Sequence, residues 1–257
     1  MPVAQFKVEE LADEIMQYFE NKTILDPFTL RTILEKADRI PDDTTKKMIM
    51  GFAYGAAGNH DEAMAFFKDA IDSGKGDLPA INYLSYLGNA GYHVLHRQEA
   101  IKLARNSNSF HLYIIGRNAA YADGDGELSL FFSRNALSMI SDHNRREAME
   151  KDVQRKNDEL NRFINVTGLG TEQIAEMTRA VVDVASKYKV LAPSHEYYTS
   201  SDNEAAVICN VICQDEDVIA DMDIEIATQL AMNDSFSDKN LTVWFRGHNK
   251  SEAPEKL

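Results

Sequence analysis

The sequence predicts a helical repeat solenoid over residues 5–164, followed by a small α+β domain over residues 165–250. Small and aromatic residues recur at fixed spacing in residues 44–77, and two weaker copies follow in residues 81–142. Beyond the NVTGLG segment at residues 165–170, the predicted order of elements becomes α-β-β-α-β. Stacked repeats bury one continuous core, whereas the α-β-β-α-β order favours a small antiparallel sheet packed against helices.

The clearest repeat carries small residues at the positions where two helices would cross. Its repeat-packing positions are Gly51, Tyr54, Ala63, Phe67 and Ala70. In an antiparallel helix pair, Gly51 and Ala63 would allow the two backbones to approach closely. Tyr54 and Phe67 would fill the space beside that crossing, and Ala70 would admit the next helix.

This spacing resembles the tetratricopeptide repeat, a 34-residue helix pair with a Leu-Gly, Tyr, Ala, Phe, Ala pattern. The resemblance covers residues 44–77; it departs at Lys47 and Met50, which replace the usual Trp and Leu, and the terminal Pro is missing. The weaker copies repeat the glycine position at Gly88 and Gly116. The resemblance implies a stack of helix pairs that binds other proteins.

In the tetratricopeptide family, the first helix of each pair lines a concave groove. Members that clamp a peptide carboxylate carry Lys and Asn there, whereas the corresponding places of this chain hold Met48 and Phe52. The resemblance therefore implies an apolar groove for a helix or an extended segment. Met48 and Phe52 are its expected partner-binding residues.

Helical periodicity extends the solenoid on both sides of the repeats. Asp26 and Pro27 are expected to begin one flanking helix as its N-cap and first helical position. A charged helix at about residues 144–164 is typical of a cap on the last apolar face. Residues 251–257 are expected to form a disordered tail. The N-terminal helix carries an apolar stripe of Phe6, Val8, Leu11, Ile15 and Phe19.

The second half alternates between helical and strand patterns. The segment TEQIAEMTRAVVDVASKYKV predicts an amphipathic helix, and HEYYTS and EAAVICNVICQ predict two strands joined by a turn at residues 201–203. Another helix is predicted at about residues 217–232, and a last strand begins at Leu241. This half resembles no family that we know.

Composition restricts the class of partner. The formal net charge of −14 disfavours nucleic acid and anionic membrane as direct ligands and is compatible with a basic protein partner. No run approaches the ~18 apolar residues of a membrane span. The acidic, amphipathic N-terminus argues against a signal peptide, so we expect a cytoplasmic protein.

The two cysteines, Cys209 and Cys213, would lie too far apart on one strand to form a disulfide.

Two sets of residues in the second half are candidates for function. Asp221 and Glu225 would share a helix face and could bind a divalent cation. Acidic residues near a helix start also favour the macrodipole, so an acidic protein-binding face is the alternative. Trp244 and Arg246 are residue types enriched at binding hot spots, and they would share one face of the last strand. The alternative is a half-buried Trp244 that packs on a helix.

The expected function is a protein–protein interaction module, acting as an adaptor, regulator or inhibitor. Its partner would bind the apolar groove, the acidic surface or both, and no cofactor is expected. The alternative is a metal-dependent enzyme with its site in residues 165–250. Asp221 and Glu225 would bind the metal, as acidic pairs do in nucleases, and His195 or Arg246 would act beside this acidic helix. No nucleophile beside a base, phosphate loop or complete metal set is recognisable in the sequence.

Overall fold

The chain is mostly helical and ends in a three-stranded sheet. The structure, a computed structural model, describes residues 2–249, with side chains described from Val8 onward. Phe6 as a side chain and the predicted tail at 251–257 lie outside the described residues. The helices are α1 (Pro2–Glu20), α2 (Pro27–Ala37), α3 (Asp43–Ala56), α4 (His60–Asp72), α5 (Leu78–Asn89), α6 (His93–Arg105), α7 (Phe110–Ala122), α8 (Gly126–Ser138), α9 (His143–Thr167), α10 (Thr171–Lys187) and α11 (Glu216–Ala231); the strands are β1 (Leu191–Thr199), β2 (Ala205–Ile212) and β3 (Leu241–His248).

The chain divides into two compact units, residues 1–90 and residues 91–257, between α5 and α6. The boundary predicted near residues 165–170 lies inside the second unit, between α9 and α10. That segment does end a helix, because Gly168 is the C-cap of α9 with a φ of 66°. This left-handed conformation favours glycine. The NVTGLG segment therefore marks a helix terminus within a compact unit.

Aromatic contacts among α3, α4 and α5 hold the first unit together. The Phe67 ring of α4 is fully buried and lies 4.9 Å from the Phe52 ring of α3 and 5.3 Å from the Tyr86 ring of α5. Gly51 permits this packing, because a Cβ atom at that position would lie 2.8 Å from the Phe67 ring. The α3–α4 pair is thus a close helical hairpin with its aromatic residues at the centre.

Capping side chains fix where the helices begin. Asp26 precedes α2 and accepts a hydrogen bond of 2.9 Å from the Phe28 amide, with Pro27 as the first helical residue. The predicted N-cap of this helix is confirmed. Asp125 likewise caps α8 by accepting a 2.9 Å hydrogen bond from the Leu128 amide. Each cap satisfies an amide that the helix itself leaves without a partner.

The sheet has the order β1-β2-β3, with β2 in the centre. The hairpin of β1 and β2 is antiparallel, as predicted, whereas β3 runs parallel to β2. The sheet is therefore mixed, and the expectation of a purely antiparallel sheet was wrong. The physical reason is the connection: α11 carries the chain back along the sheet, so β3 enters in the same direction as β2.

The hydrophobic core of the second unit lies between one sheet face and the helices. Strand residues with odd numbers, among them Val207, Cys209 and Phe245, belong to this core together with residues of α9, α10 and α11. The ring of Tyr197 on β1 lies 4.9 Å from the ring of Phe163 on α9. We call this side of the sheet the odd face and the opposite side the even face.

Both edges of the sheet are protected against pairing with another strand. Pro193 lies in β1, where the pairing register is irregular between Leu191 and Ser194. At the other edge, the Phe245 amide of β3 donates a 2.7 Å hydrogen bond to the Asp223 carboxylate of α11. Proline, irregular register and a covering side chain are common ways to block edge-to-edge association.

Candidate functional site

The even face of the sheet carries aromatic, charged and amide side chains in adjacent rows. One row pairs Glu196 of β1 with Ile208 of β2 and Trp244 of β3, by Cα register. The next aligns Ser194, Asn210 and Arg246, with His248 at the following even position of β3. The side chains of Glu196 and Arg246 are both more than two-fifths exposed. These rows form our candidate functional site.

Asn210 is the centre of a hydrogen-bond network on this face. Its side chain is buried, at 1% exposure, beneath the longer side chains of the two edge strands. Its amide nitrogen donates to the Ser194 hydroxyl at 3.1 Å and to the Glu196 carboxylate at 2.8 Å. Its amide oxygen lies 2.8 Å from Nε2 of His248. Every polar atom of the Asn210 amide therefore has a partner, as burial of an amide requires.

The network also fixes the orientation of its members. An ionised carboxylate only accepts hydrogen bonds, so the amide nitrogen of Asn210 must face Glu196. The amide oxygen then faces His248, whose Nε2 must carry the proton. Arg246 completes the network with two hydrogen bonds from Nη1 to the Glu196 carboxylate, at 3.2 and 3.1 Å. The charged groups of the even face are thereby joined to one another and to Asn210.

Trp244 and Arg246 lie where the predicted strand alternation places them. Val243 and Phe245 are buried on the odd face, while Trp244 is half-buried and Arg246 is exposed on the even face. Tyr198 adds a second aromatic side chain, which is half exposed at the hairpin end of this face. Asn210 was not found from the sequence, although a lone amide within the apolar run AVICNVIC was a usable signal.

Met48 and Phe52, the expected groove residues, are buried in the first unit. Met48 is 6% exposed and Phe52 is 8% exposed. Phe52 contacts the ring of Phe19 on α1, at 6.5 Å between centroids, and Met48 Sδ lies 3.2 Å from the Asn82 amide nitrogen. Neither side chain offers an exposed surface, because α1 and α5 pack on this side of α3. They contribute to the core rather than to an open groove.

The repeat-packing residues form two groups in the first unit. Ala63, Phe67 and Ala70 are fully buried on α4. Gly51 lies against Phe67, whereas Tyr54 stacks on Phe66 at 5.3 Å instead of entering the same cluster. Phe67 thus packs directly on Gly51, whereas the sequence was interpreted as a crossing of Gly51 and Ala63 with Phe67 beside it.

One member of the candidate metal pair, Glu225, is engaged in other contacts. Glu225 accepts hydrogen bonds of 2.8 and 2.7 Å from Lys187, which lower the pKa of its carboxyl group, and a third bond from Gln229. Asp221 is exposed on the outer side of α11. Among the described residues, no group of three or more His, Cys, Asp or Glu side chains is placed to hold a metal ion. Glu225 of α11 therefore forms an ion pair with Lys187 of α10.

His195 and Arg246, the residues considered for an enzyme site, lie on opposite sheet faces. His195 is buried on the odd face opposite Cys209, while Arg246 lies on the even face opposite Asn210. Burial and the charge of Arg97 lower the pKa of His195 well below its usual value, so the ring is neutral. Burial raises the pKa of the Cys209 thiol to about 12. This pair lacks both the thiolate and the solvent access of a nucleophilic site.

Arg97 organises a buried polar cluster around His195. Its guanidinium donates to Asp123 Oδ1 at 2.9 Å and to Thr178 Oγ1 at 3.1 Å, and Nη2 lies 3.2 Å from Nε2 of His195. Because a guanidinium only donates, the imidazole accepts this bond. His93 donates from Nε2 to the Val190 carbonyl at 3.3 Å. The cluster joins α6, α10 and β1 and is occupied by its own contacts.

A second buried cluster surrounds Arg117, whose side chain is 2% exposed. Arg117 Nη1 lies 3.0 Å from Asp152 Oδ2, and the same carboxylate accepts a bond from Arg155 Nη2 at 2.8 Å and lies 3.4 Å from Lys156 Nζ. Burial opposes ionisation of Asp152, but attraction by Lys156 and Arg117 outweighs it and lowers the pKa. An adjoining cleft of about 250 Å³ includes open solvent and is lined by Tyr121 and Lys156, among others.

Comparison with protein-family models, curated proteins and solved structures finds no match for this chain. Among residues 2–249, no helix combines the length and the apolar content needed to cross a bilayer.

Proposed function

We propose that the chain is a protein–protein interaction module whose partner binds the even face. The observation that carries the proposal is Trp244 beside Arg246 on a sheet face opposite to the hydrophobic core. Trp, Tyr and Arg are enriched among the few residues that dominate the binding energy of protein interfaces, and Tyr198 lies on the same face. A face that served only as a solvated surface would not require this combination.

The network around Asn210 supports the proposal through preorganisation. Association costs entropy when long side chains become ordered on contact. Here Glu196 and Arg246 already hold each other, and Asn210 fixes both the carboxylate and His248. The partner would therefore meet a surface of fixed donors and acceptors. The carboxylate within this network and the net charge of −14 disfavour a nucleic acid as that partner.

The first unit fits a supporting role in this proposal. The hairpin of α3 and α4, with Gly51 against Phe67, supports the tetratricopeptide resemblance of residues 44–77. Under this proposal, the helices of the first unit form a repeat-like scaffold. Because Met48 and Phe52 are buried, the primary contact surface is assigned to Trp244 and Arg246.

The test is affinity capture from the native host with the full chain, beside a Trp244→Ala/Arg246→Ala variant. The captured protein is then purified, and its Kd for each chain is measured. We expect at least about tenfold weaker binding by the variant, since hot-spot truncations cost more than ~1 kcal/mol each. Trp244 is the single tryptophan of the chain, so its fluorescence reports binding at this face directly when the partner lacks tryptophan.

A matched control removes an aromatic residue and an arginine from another surface. Phe131 and Arg134 are both exposed on α8, and Phe131→Ala/Arg134→Ala deletes the same residue classes. This control is expected to bind the partner as the unchanged chain does. Equal capture by the Trp244→Ala/Arg246→Ala variant, or an equal loss in the control, would refute the assignment of the even face.

A further inference from the structure

The negative charge of the chain is concentrated in one segment. Residues 190–238 contain eleven Asp and Glu residues and no Lys or Arg, so they carry −11 of the net charge of −14. The helix within this segment is α11, which has five acidic and no basic residues. The rest of the chain is close to neutral. Such concentration of one sign creates a local field that attracts partners of the opposite sign.

The outer side of α11 combines two of these acids, Asp217 and Asp221, with exposed apolar side chains. Met222, Ile226 and Leu230 face the core. On the opposite side Ile224 is 66% exposed and Met232 is 82% exposed. Ile224 and the C-cap residue Met232 lie about two turns apart on this side, where a solvated helix would carry polar side chains. The other members of the outer side, all exposed, are Asp217, Ala220, Asp221, Ala227, Thr228 and Ala231.

The outer side of α11 has an acidic half and an apolar half. Asp217 and Asp221 lie towards the N-terminus of α11, while Ile224 and Met232 follow towards its C-terminus. Asp217, in the first helical turn, also interacts favourably with the macrodipole. The macrodipole gives no reason for Asp221 beyond that turn, nor for Ile224 and Met232 in water. Exposed apolar side chains flanked by charges of one sign are typical of a docking surface.

We infer that the outer side of α11 is a second docking surface, and that it binds a basic amphipathic helix of a partner protein. The charge of residues 190–238 selects a basic occupant by complementarity. The apolar half requires apolar residues on the same side of that occupant, in the manner of helix-in-groove recognition. A second copy of this chain is disfavoured because its own α11 would bring like charges into contact. This surface is separate from the even face and does not rest on the function proposed for that face.

Three fluorescent helical peptides of equal length test this inference by anisotropy against the full chain. The first has a Leu stripe flanked by Lys, the second has the same Leu stripe flanked by Glu, and the third keeps Lys but replaces Leu with Ser. We expect clear binding of the first peptide, weakened by added salt, and at least about tenfold weaker binding of the other two. Equal binding of the Lys–Ser peptide would reduce the surface to an unspecific acidic patch and overturn the inference.

Two variants and one control locate the binding. Ile224→Ser/Met232→Ser removes the apolar half, and Asp217→Asn/Asp221→Asn removes the acidic half; each is expected to weaken the first peptide about tenfold or more. The control, Asp61→Asn/Glu62→Gln, removes the same charge from the exposed first turn of α4 in the other unit. It should leave the affinity within about twofold. Unchanged binding by the Ile224→Ser/Met232→Ser variant, or an equal loss in the control, would refute the surface.

Discussion

Replacing Asp152 with alanine is expected to destabilise the second unit strongly. Asp152 is the carboxylate that faces the buried guanidinium of Arg117, at 3.0 Å, and Arg117 otherwise bonds to the neutral side chain of Asn118 at 2.9 and 3.1 Å. Asp152→Ala would leave a positive charge buried without a counter-ion. Breaking a buried pair in this way costs about 3–5 kcal/mol. Since Asp152 is itself 12% exposed and Lys156 and Arg155 also neighbour it, we expect about 3 kcal/mol.

The measurement is urea unfolding followed by the fluorescence of Trp244, which reports on the second unit alone. Glu150→Ala on the same helix is the control, because Glu150 forms an exposed ion pair with Arg146 at 3.2 Å. Such surface pairs contribute less than about 1 kcal/mol. The double variant Arg117→Met/Asp152→Ala removes both charges and should recover most of the loss. A cost for Asp152→Ala no larger than for Glu150→Ala would refute this account of the cluster.

Three further predictions follow from the described contacts. The pKa of Asp152 is lowered in the folded state, so its stabilisation is fully present above the unfolded pKa and is lost as pH falls through the lower folded value. Asp152→Asn should therefore flatten the acid limb of a plot of unfolding free energy against pH. Gly116→Ala should cost about 1–3 kcal/mol in urea unfolding, because the new Cβ atom would lie 2.5 Å from Ala104 Cβ. A thiol reagent at neutral pH should label Cys213 and spare Cys209, whose pKa is raised to about 12 by burial, until urea exposes both.

Controls for these predictions come from the same chain. Gly170→Ala adds a Cβ atom at a position with no close neighbour, so its cost should stay below about 1 kcal/mol, the loss expected when alanine replaces glycine as the N-cap of α10. An equal loss for Gly170→Ala and Gly116→Ala would argue against close packing of α6 and α7 at Gly116. Rapid labelling of both thiols in the folded chain would contradict the burial of Cys209. An unchanged acid limb in Asp152→Asn would assign the acid sensitivity to other carboxylates.

The helices and strands were predictable because their periodicities are local. The α-β-β-α-β order and the cap of α2 follow from spacing and from capping residues that act within one turn. The direction of β3 was not predictable, because it depends on the path of α11 across the sheet. The segment of residues 165–170 signals a helix end, and local sequence does not distinguish that from a boundary between compact units.

The candidate site was predictable in part. Trp244 and Arg246 were found because strand alternation separates them from Val243 and Phe245. Asn210 was missed, since its role depends on Glu196 and His248 from two other strands, and register is not a local property. Met48 and Phe52 were assigned to a groove because the repeat spacing predicts that they share one face of a helix. The spacing does not predict that another helix covers that face.

The Arg97 cluster has a consequence for how the second unit is made. Arg97 of α6 reaches His195 of β1 across 98 residues, and the Tyr197 hydroxyl reaches the Ala122 carbonyl across 75. Loop closure over such distances slows folding, because the entropy of closure is lost before the contacts form. During synthesis, α6–α9 leave the ribosome before the sheet, so Arg97 and the Ala122 carbonyl lack their contacts with His195 and Tyr197 until the sheet has been made. A fragment that ends at residue 164 would keep Arg97 and lose His195, so residues from 91 onward are the sound minimum for expressing this unit.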